Sequence, residues 1–388
     1  WRRLSAAGAE AASLLEKHDY PAGTRTAQQV SAQLGEAGES VRRAVEQLGQ
    51  TLVAIKTLYE RAAAESTFFT QNYGPQWAAA RDEYPRVEEM GRGPASVELA
   101  ERAAALRRSL EELLAFRDRV FQDLRQAQDR LDTMAKAPLH AYLERNFPEA
   151  YVKIADLRQT SERRRERADL RAARDLLLEA ANATEALLKQ MNDVRNQALT
   201  LRAALRDRRG RFQDGMRRHM GRQHAVVTQD MQRLERLIEG NLYKDALDLA
   251  KTLDAVIPAE RYVPQENGTV IDYEKGFMWV GDGASPDGNN GNRALNWYDA
   301  LTWVSASRFA KFDDWRLPNE EELRDLWRLP AADRNRLFPN TRIGVYWTRV
   351  PSQDVDKALA VDIGTGRISL ENKQSSLAVR AVRQPNMP

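Results

Sequence analysis

Apolar and small residues recur at alternating steps of three and four positions along three stretches of the chain. These stretches are 34–62, 106–134 and 170–205. An average repeat of 3.5 residues keeps one apolar stripe on one side of a helix, as in coiled coils. Helices of this kind are marginal alone in water, so each stripe needs a partner surface. The pattern predicts a long antiparallel helical bundle or coiled-coil stalk, with a parallel dimeric coiled coil as the alternative.

Proline and glycine mark the expected ends of the long helices, because proline interrupts a helix and glycine weakens one. The breakers that matter most are Pro21, Gly23, 73–75, Pro85, 91–94, Pro138 and Pro148. A shorter helical pair follows, divided by Gly240 and Asn241. We therefore expect an elongated helical bundle over 1–224, a helical hairpin and linker over 225–264, and an α+β domain over 265–388.

The pattern changes to short strands and capped helices after residue 265. Gly276 suits the turn of a β-hairpin, and Asn296 and Asn319 suit helix N-caps. Short strands are predicted over 344–349, 357–363, 367–370 and 378–383. Two helices among short antiparallel strands predict an α+β domain of C-type-lectin-like architecture.

Composition removes several classes of function. The 388 residues include no cysteine, which excludes disulfides, thiolate metal sites and a cysteine nucleophile. The net charge of +3 lacks the one-sided excess of a dedicated nucleic-acid binder. No apolar run approaches the roughly 18 residues of a membrane span. Trp1, Arg2 and Arg3 would suit the flank of a membrane anchor upstream, and an arbitrary start is the alternative.

Six of the eight tryptophans lie in the last third of the chain, together with six short motifs in a fixed order. The motifs, preceded by Asp272, are Gly276–Trp279, Asn296–Ala300, Asp314–Asn319, Phe338–Asn340, Tyr346–Thr348 and Val379–Arg383. Over roughly residues 266–384 they resemble domain-of-unknown-function family 1566. That family is the lectin-like module at the C-terminus of some bacterial collagen-like adhesins. The resemblance implies a C-type-lectin-like fold and a binding role.

The same signature is similar to formylglycine-generating enzymes and to retroelement-diversified ligand-binding proteins. Formylglycine-generating chemistry requires cysteine thiols that bind copper, and this chain has none. That activity is therefore excluded, and the ligand-binding comparison remains.

The polar loop over 281–293 is the first candidate ligand site. Its oxygen donors are Asp282, Asp287, Asn289 and Asn292. Calcium takes such donors, which makes Asp282 and Asp287 a weak calcium candidate. The spacing fits no EF-hand loop, and an ordinary flexible turn is the favoured interpretation. No other cofactor is predicted.

Arg316 and Trp347 are further candidate ligand residues of the C-terminal domain. Their structural interpretation places Trp347 in the core and pairs Arg316 with Asp314 or with buried carbonyl groups. Arg380 and Arg383 are expected to share one face of the final strand.

An arginine-rich stretch precedes the helical pair. Its candidate contacts to an anionic surface are Arg208, Arg209, Arg211, Arg217, Arg218 and Arg222. Acidic residues such as Asp207 are interleaved with them, so a solvated helix face with ion pairs is the favoured interpretation. Gly210, Gly215 and Gly221 predict a bend here.

No phosphate loop, nucleophile elbow or zinc-binding helix motif occurs, so we expect no enzyme. The leading hypothesis is a non-enzymatic recognition or adhesion protein of the bacterial cell envelope, periplasmic or extracellular. A helical stalk would carry a head that binds a protein or a glycan, and the helices could join copies of the chain. The alternative is a cytoplasmic scaffold or signalling subunit whose head docks a partner protein.

Overall fold

The structure is a computed structural model that describes residues 2–17, 19–281, 294–339 and 341–386. The chain divides into two compact units, Trp1–Leu188 and Lys189–Pro388. A long helical region is followed by a mixed α/β domain with two sheets, as the sequence predicts. Among the described helices, none has the length and apolarity needed to cross a membrane.

The first unit is built from long helices with buried apolar faces. Its helices are α1 (Arg2–Glu16), α2 (Tyr20–Ala64), α3 (Ser66–Gly91), α4 (Val97–Ala135), α5 (Leu143–Asn146), α6 (Pro148–Glu166) and the start of α7 (Leu170–Arg211). Tyr59 on α2 stacks on Tyr84 of α3 with ring centroids 3.8 Å apart. Tyr73 of α3 stacks on Phe116 of α4 at 4.6 Å. These contacts join α3 to both neighbours, and successive helices run antiparallel.

The first long helix ends earlier than the breakers predict. It stops at Ala64, and α3 begins at Ser66 and continues through Pro75 and Pro85. The backbone leaves helical geometry at Tyr73, two residues before Pro75. That break places Pro75 near the start of a new helical segment, where its missing N–H costs little. The turn at Glu65 lets Phe69 pack into the core, where it is buried.

The apolar stripe of α2 is buried only over part of its length. Ile55 and Ala62 lie in the core of the first unit. Every residue over 31–47 is exposed, among them Leu34, Val41 and Val45. The expectation that the whole stripe is buried within the bundle is therefore wrong for this stretch.

The second unit contains the end of α7, further helices and two sheets. Its other helices are α8 (Gln213–His219), α9 (Arg222–Glu239), α10 (Tyr243–Val256), α11 (Trp297–Ala306), α12 (Glu320–Trp327) and α13 (Ala331–Leu337). Its strands are β1 (Tyr262–Pro264), β2 (Thr269–Asp272), β3 (Phe277–Val280), β4 (Ala294–Leu295), β5 (Val345–Pro351), β6 (Lys357–Asp362), β7 (Ile368–Asn372), β8 (Leu377–Ala378) and β9 (Val382–Arg383). The bend predicted by the glycines falls between α7 and α9, where Gly221 has a positive φ.

The two sheets lie on either side of one short helix. The first sheet has the strand order β1-β2-β3-β9 and the second has the order β4-β8-β5-β6-β7. On α12, Leu326 packs with Trp279 of the first sheet, and Leu323 packs with Tyr346 of the second. Asn319 caps α12 and forms a reciprocal capping box with Glu322. A single helix therefore contacts both sheets.

The predicted final strand over 378–383 is two strands. Ala378 of β8 pairs with Ala294 in the second sheet, while Val382 of β9 pairs with Trp279 in the first. The chain crosses between the sheets at 379–381. Arg380 lies in this crossing and Arg383 lies in β9, so the expectation that both share one strand face is wrong.

Candidate functional site

A cleft of about 450 Å³ opens on the second unit and is the candidate binding site of its described residues. It is assembled from the end of α7, the linker before β1, the β2–β3 turn, and helices α12 and α13. The lining residues are Arg211, Phe212, Ala259, Glu260, Arg261, Tyr262, Glu274, Asp325, Arg328, Leu329, Asp333, Arg336 and Leu337. The lining includes four arginines, four carboxylates and one tyrosine. These groups offer hydrogen-bond donors and acceptors, so the cleft would suit a polar ligand.

Arg261 lies at the centre of this cleft and is half-buried. Its Nε donates to Oδ1 of Asp272 at 2.9 Å, and its Nη2 donates to Oδ2 at 2.7 Å. Nη2 also donates to Oδ2 of Asp325 at 3.2 Å. Burial alone would lower the pKa of Arg261, but the hydrogen bonds and the charge of Asp272 raise it above its ordinary value. The guanidinium is therefore a permanent, fixed cation that holds β2 to α12.

Tyr262 lies beneath the same guanidinium, whose Cζ is 4.8 Å from the ring centroid. Burial, followed by the negative charge of Asp272, raises the pKa of the phenol. Among the described residues the hydroxyl of Tyr262 has no hydrogen-bond partner within ordinary geometry. The phenol therefore stays protonated and gives the cleft a neutral floor.

The rim of the cleft carries ion pairs that are more exposed. Arg336 donates to Oε2 of Glu260 at 2.9 Å, and Arg328 donates to Oδ1 of Asp325 at 3.0 Å. Arg211 pairs with Asp207 at 3.0 Å. Exposed pairs of this type contribute little to stability and exchange readily with other partners. A ligand with both donors and acceptors can replace them without leaving a buried charge.

The structure places Arg316 and Trp347 in the scaffold of the domain. Arg316 donates from Nη1 and Nη2 to the two carboxylate oxygens of Glu322, each at 2.8 Å. Of its two predicted partners, a buried carbonyl group is confirmed, because Nη1 also donates to the carbonyl oxygen of Leu317 at 3.1 Å. The pairing with Asp314 is wrong, because Asp314 accepts from Arg383 instead. Trp347 is 0% exposed and donates from Nε1 to the carbonyl oxygen of Leu295 at 2.8 Å. Neither side chain lines the cleft.

The candidate loop donors fall outside the described residues. These are Asp282, Asp287, Asn289 and Asn292, and the calcium hypothesis for Asp282 and Asp287 stays a prediction. Among the other tryptophans of this domain, Trp279 and Trp315 are buried, whereas Trp303 is only partly buried.

Several arginines of the predicted anionic-surface stretch are engaged within the second unit. Arg208 contacts Asp254 and donates to the carbonyl oxygen of Ile257, and Arg218 donates to the carbonyl oxygen of Pro385. The remaining members are Arg209, Arg211, Arg217 and Arg222, of which Arg211 and Arg222 are exposed. An anion that recruits Arg208 or Arg218 has to replace these contacts. The anionic-surface hypothesis stays a prediction.

Sequence reasoning missed the cleft because its walls come from segments far apart in the chain. Arg261 and Asp272 are eleven residues apart, and Asp325 reaches the same guanidinium from 64 residues away. No spacing rule links these positions. The available signal was Asp272, which precedes the motif Gly276–Trp279 and whose side chain is only 2% exposed.

Comparison with known proteins assigns the C-terminal part of the chain. The sequence profile of the Lcl C-terminal domain matches residues 268–383. This match relates the α/β domain to a domain associated with collagen-like adhesins, and the helical region before it lies outside the match. The comparison with curated proteins gave no match.

Proposed function

We propose that this chain is a non-enzymatic recognition protein of the bacterial cell envelope, in which the helical region carries a head that binds a protein or a glycan. The observation that carries the proposal is the match of residues 268–383 to the Lcl C-terminal domain. The contacts of the motif side chains within that domain also support it. The motif residues Arg316, Trp347 and Arg383 are occupied in holding the scaffold together, which leaves loops and the cleft for ligands.

The cleft supports a binding role because its centre is held by a shielded ion pair while its rim carries exposed charged side chains. The Arg261–Asp272 pair is rigid and largely shielded, so it preserves the shape of the site. Arg328 and Arg336 are each 51% exposed and can turn toward a ligand. A polar protein segment or a glycan offers donors and acceptors that match such a rim.

The test uses the purified full chain against glycan arrays and purified envelope components. The double substitution Arg328→Glu and Arg336→Glu should weaken binding at least about tenfold, because each removes a rim donor and adds a like charge beside the existing carboxylates. The matched control is Arg349→Glu, an exposed arginine of the same domain that does not line the cleft. Binding that the double substitution does not weaken would place the ligand-binding site outside the cleft.

Cell fractionation tests the compartment separately. Recovery of the full-length protein with envelope fractions is the expected result. Recovery in the cytoplasm, with binding to a partner protein, would instead favour the scaffold or signalling subunit considered as the alternative.

A further inference from the structure

The stretch 31–47 of α2 has a helical form that the chain itself does not explain. All of its residues are exposed, and a Cβ added to Gly35 or Gly38 would meet no described atom within 4 Å. Glycine disfavours helix, and short helices hold together mainly through tertiary packing. In a single copy of the chain, this stretch contains two glycines and has no packing partner among the described residues, so nothing stabilises its helix.

The same stretch presents a continuous apolar face. Leu34, Val41 and Val45 are 41%, 64% and 48% exposed. Together with Ala37, Ala44 and Leu48 they recur at steps of three and four, which places them on one side of the helix. Both ends of this face are covered within the first unit, by α1 near Gly23 and by the main core, against which Leu48 and Leu52 pack. The interval between them is the unpartnered part.

Charge is confined to the opposite side of the helix. Between residues 30 and 52 the charged residues are Glu36, Glu39, Arg42, Arg43 and Glu46. At 3.6 residues per turn they occupy about a third of the circumference, opposite the apolar face. The apolar face and its flanks carry only small, apolar and uncharged polar side chains. A charged partner would lose its hydration here without gaining a counter-charge, so the partner surface must also be uncharged.

A second copy of the same face meets that requirement. The small and apolar residues of the face are spaced alike in both directions from Val41. Gly38 and Ala44 lie three residues to either side, and Ala37 and Val45 lie four residues to either side. In an isologous contact each residue meets its counterpart across a twofold axis. We infer that two copies of the chain associate through residues 34–47 of α2, antiparallel about Val41.

The size of the face sets the expected strength. Seventeen exposed residues of helix measure about 25 Å in length. One face of a single helix of that length buries less surface than the roughly 1,200–2,000 Å² of stable interfaces. The association should therefore be reversible and depend on concentration.

Sedimentation velocity over a dilution series of the full chain tests the inference. We expect a monomer–dimer equilibrium, and Val41→Glu should raise the dimer dissociation constant about tenfold or more by burying an unpaired charge. The matched control is Val53→Glu, the same change on the same helix at a valine that is 70% exposed and lies on the charged side. A chain that stays monomeric throughout, or a dimer that Val41→Glu and Val53→Glu weaken equally, would overturn the inference.

Cysteine crosslinking tests the direction of the helices, because the chain has no cysteine of its own. Antiparallel pairing about Val41 sets Ala37 opposite Val45 of the other copy. A mixture of the Ala37→Cys and Val45→Cys variants should therefore form a mixed disulfide. Ala37→Cys alone should not, since its two copies would be about 12 Å apart along the helix axis. Efficient crosslinking of Ala37→Cys to itself would contradict the antiparallel arrangement.

Discussion

Gly215 lies directly against Tyr273. The amide N–H of Gly215 donates to the carbonyl oxygen of Tyr273 at 3.1 Å, and a Cβ on Gly215 would lie 2.3 Å from that oxygen. A second residue of α8 contacts the same β2–β3 hairpin: His219 Nε2 lies 3.1 Å from the carbonyl oxygen of Gly276. The hairpin of the C-terminal domain is therefore packed on a helix that precedes it in the second unit.

Gly215→Ala should destabilise the second unit by about 1–3 kcal/mol, since the added methyl group has to push backbone apart. The control is Gly210→Ala, a helical glycine whose Cβ would meet no described atom within 4 Å. That change should be neutral or should stabilise by up to about 1 kcal/mol. Urea denaturation of both variants measures the difference. Equal stability of the two variants would show that the close contact does not hold in solution.

His219 makes the stability of the second unit sensitive to pH. Burial, aided by the positive charges of Arg383 and Arg218, lowers the pKa of His219 from 6.5 to about 4, while the carbonyl of Gly276 and the charge of Asp272 oppose the shift. As the pH falls below 6.5 the unfolded chain takes up this proton first, so stability decreases from pH 6.5 down to about 4. The full loss is about 3 kcal/mol.

Denaturation of the wild-type chain and of His219→Gln across this pH range checks the prediction. Glutamine can still donate to the carbonyl of Gly276 but takes up no proton, so its profile should be flatter by most of that loss. Parallel profiles for the two proteins would mean that other groups cause the pH dependence.

The contact between Glu322 and Arg316 should dominate the stability of α12. Glu322→Ala removes both hydrogen bonds to Arg316 and one half of the capping box, leaving a partly buried cation without its partner. A cost of about 3 kcal/mol is expected. The neighbouring Glu321 pairs with Arg324 and Arg328 at the exposed surface, so Glu321→Ala should cost about 0.5 kcal/mol or less. Thermal denaturation of the two variants provides the comparison.

Caps and turns were predictable because they depend on neighbouring residues. Asn296 accepts from the backbone N–H of Asp299, and Gly276 has a φ of 71°. Both follow from local steric and hydrogen-bonding rules. The partner of Arg316 was not predictable, since Asp314 and Glu322 are both near in sequence and only the fold decides between them.

The burial of the α2 stripe shows a related limit. Its heptad pattern predicts that a partner is needed but does not say which one. Ile55 finds that partner within the first unit, whereas Leu34 and Val41 do not. The cleft was unpredictable for the opposite reason, since its residues follow no periodic pattern.

Arg261→Lys should destabilise the cleft although it keeps the positive charge. A lysine cannot reproduce the paired hydrogen bonds to Asp272, whose side chain is almost fully buried. The expected loss is about 1–3 kcal/mol in the free energy of unfolding. Arg328→Lys at the exposed rim should change it by about 0.5 kcal/mol or less. Chemical denaturation distinguishes the two, and equal effects would contradict the division between centre and rim.

The crossing from β8 to β9 has a consequence for the order in which the domain assembles. Residues 377–383 supply an inner strand to one sheet and an edge strand to the other. During synthesis on the ribosome, both sheets must therefore wait for the same late segment before either is complete. Until it arrives, the indole of Trp279 and the backbone of β5 are left without their final neighbours, so surface that the finished domain buries stays open to solvent.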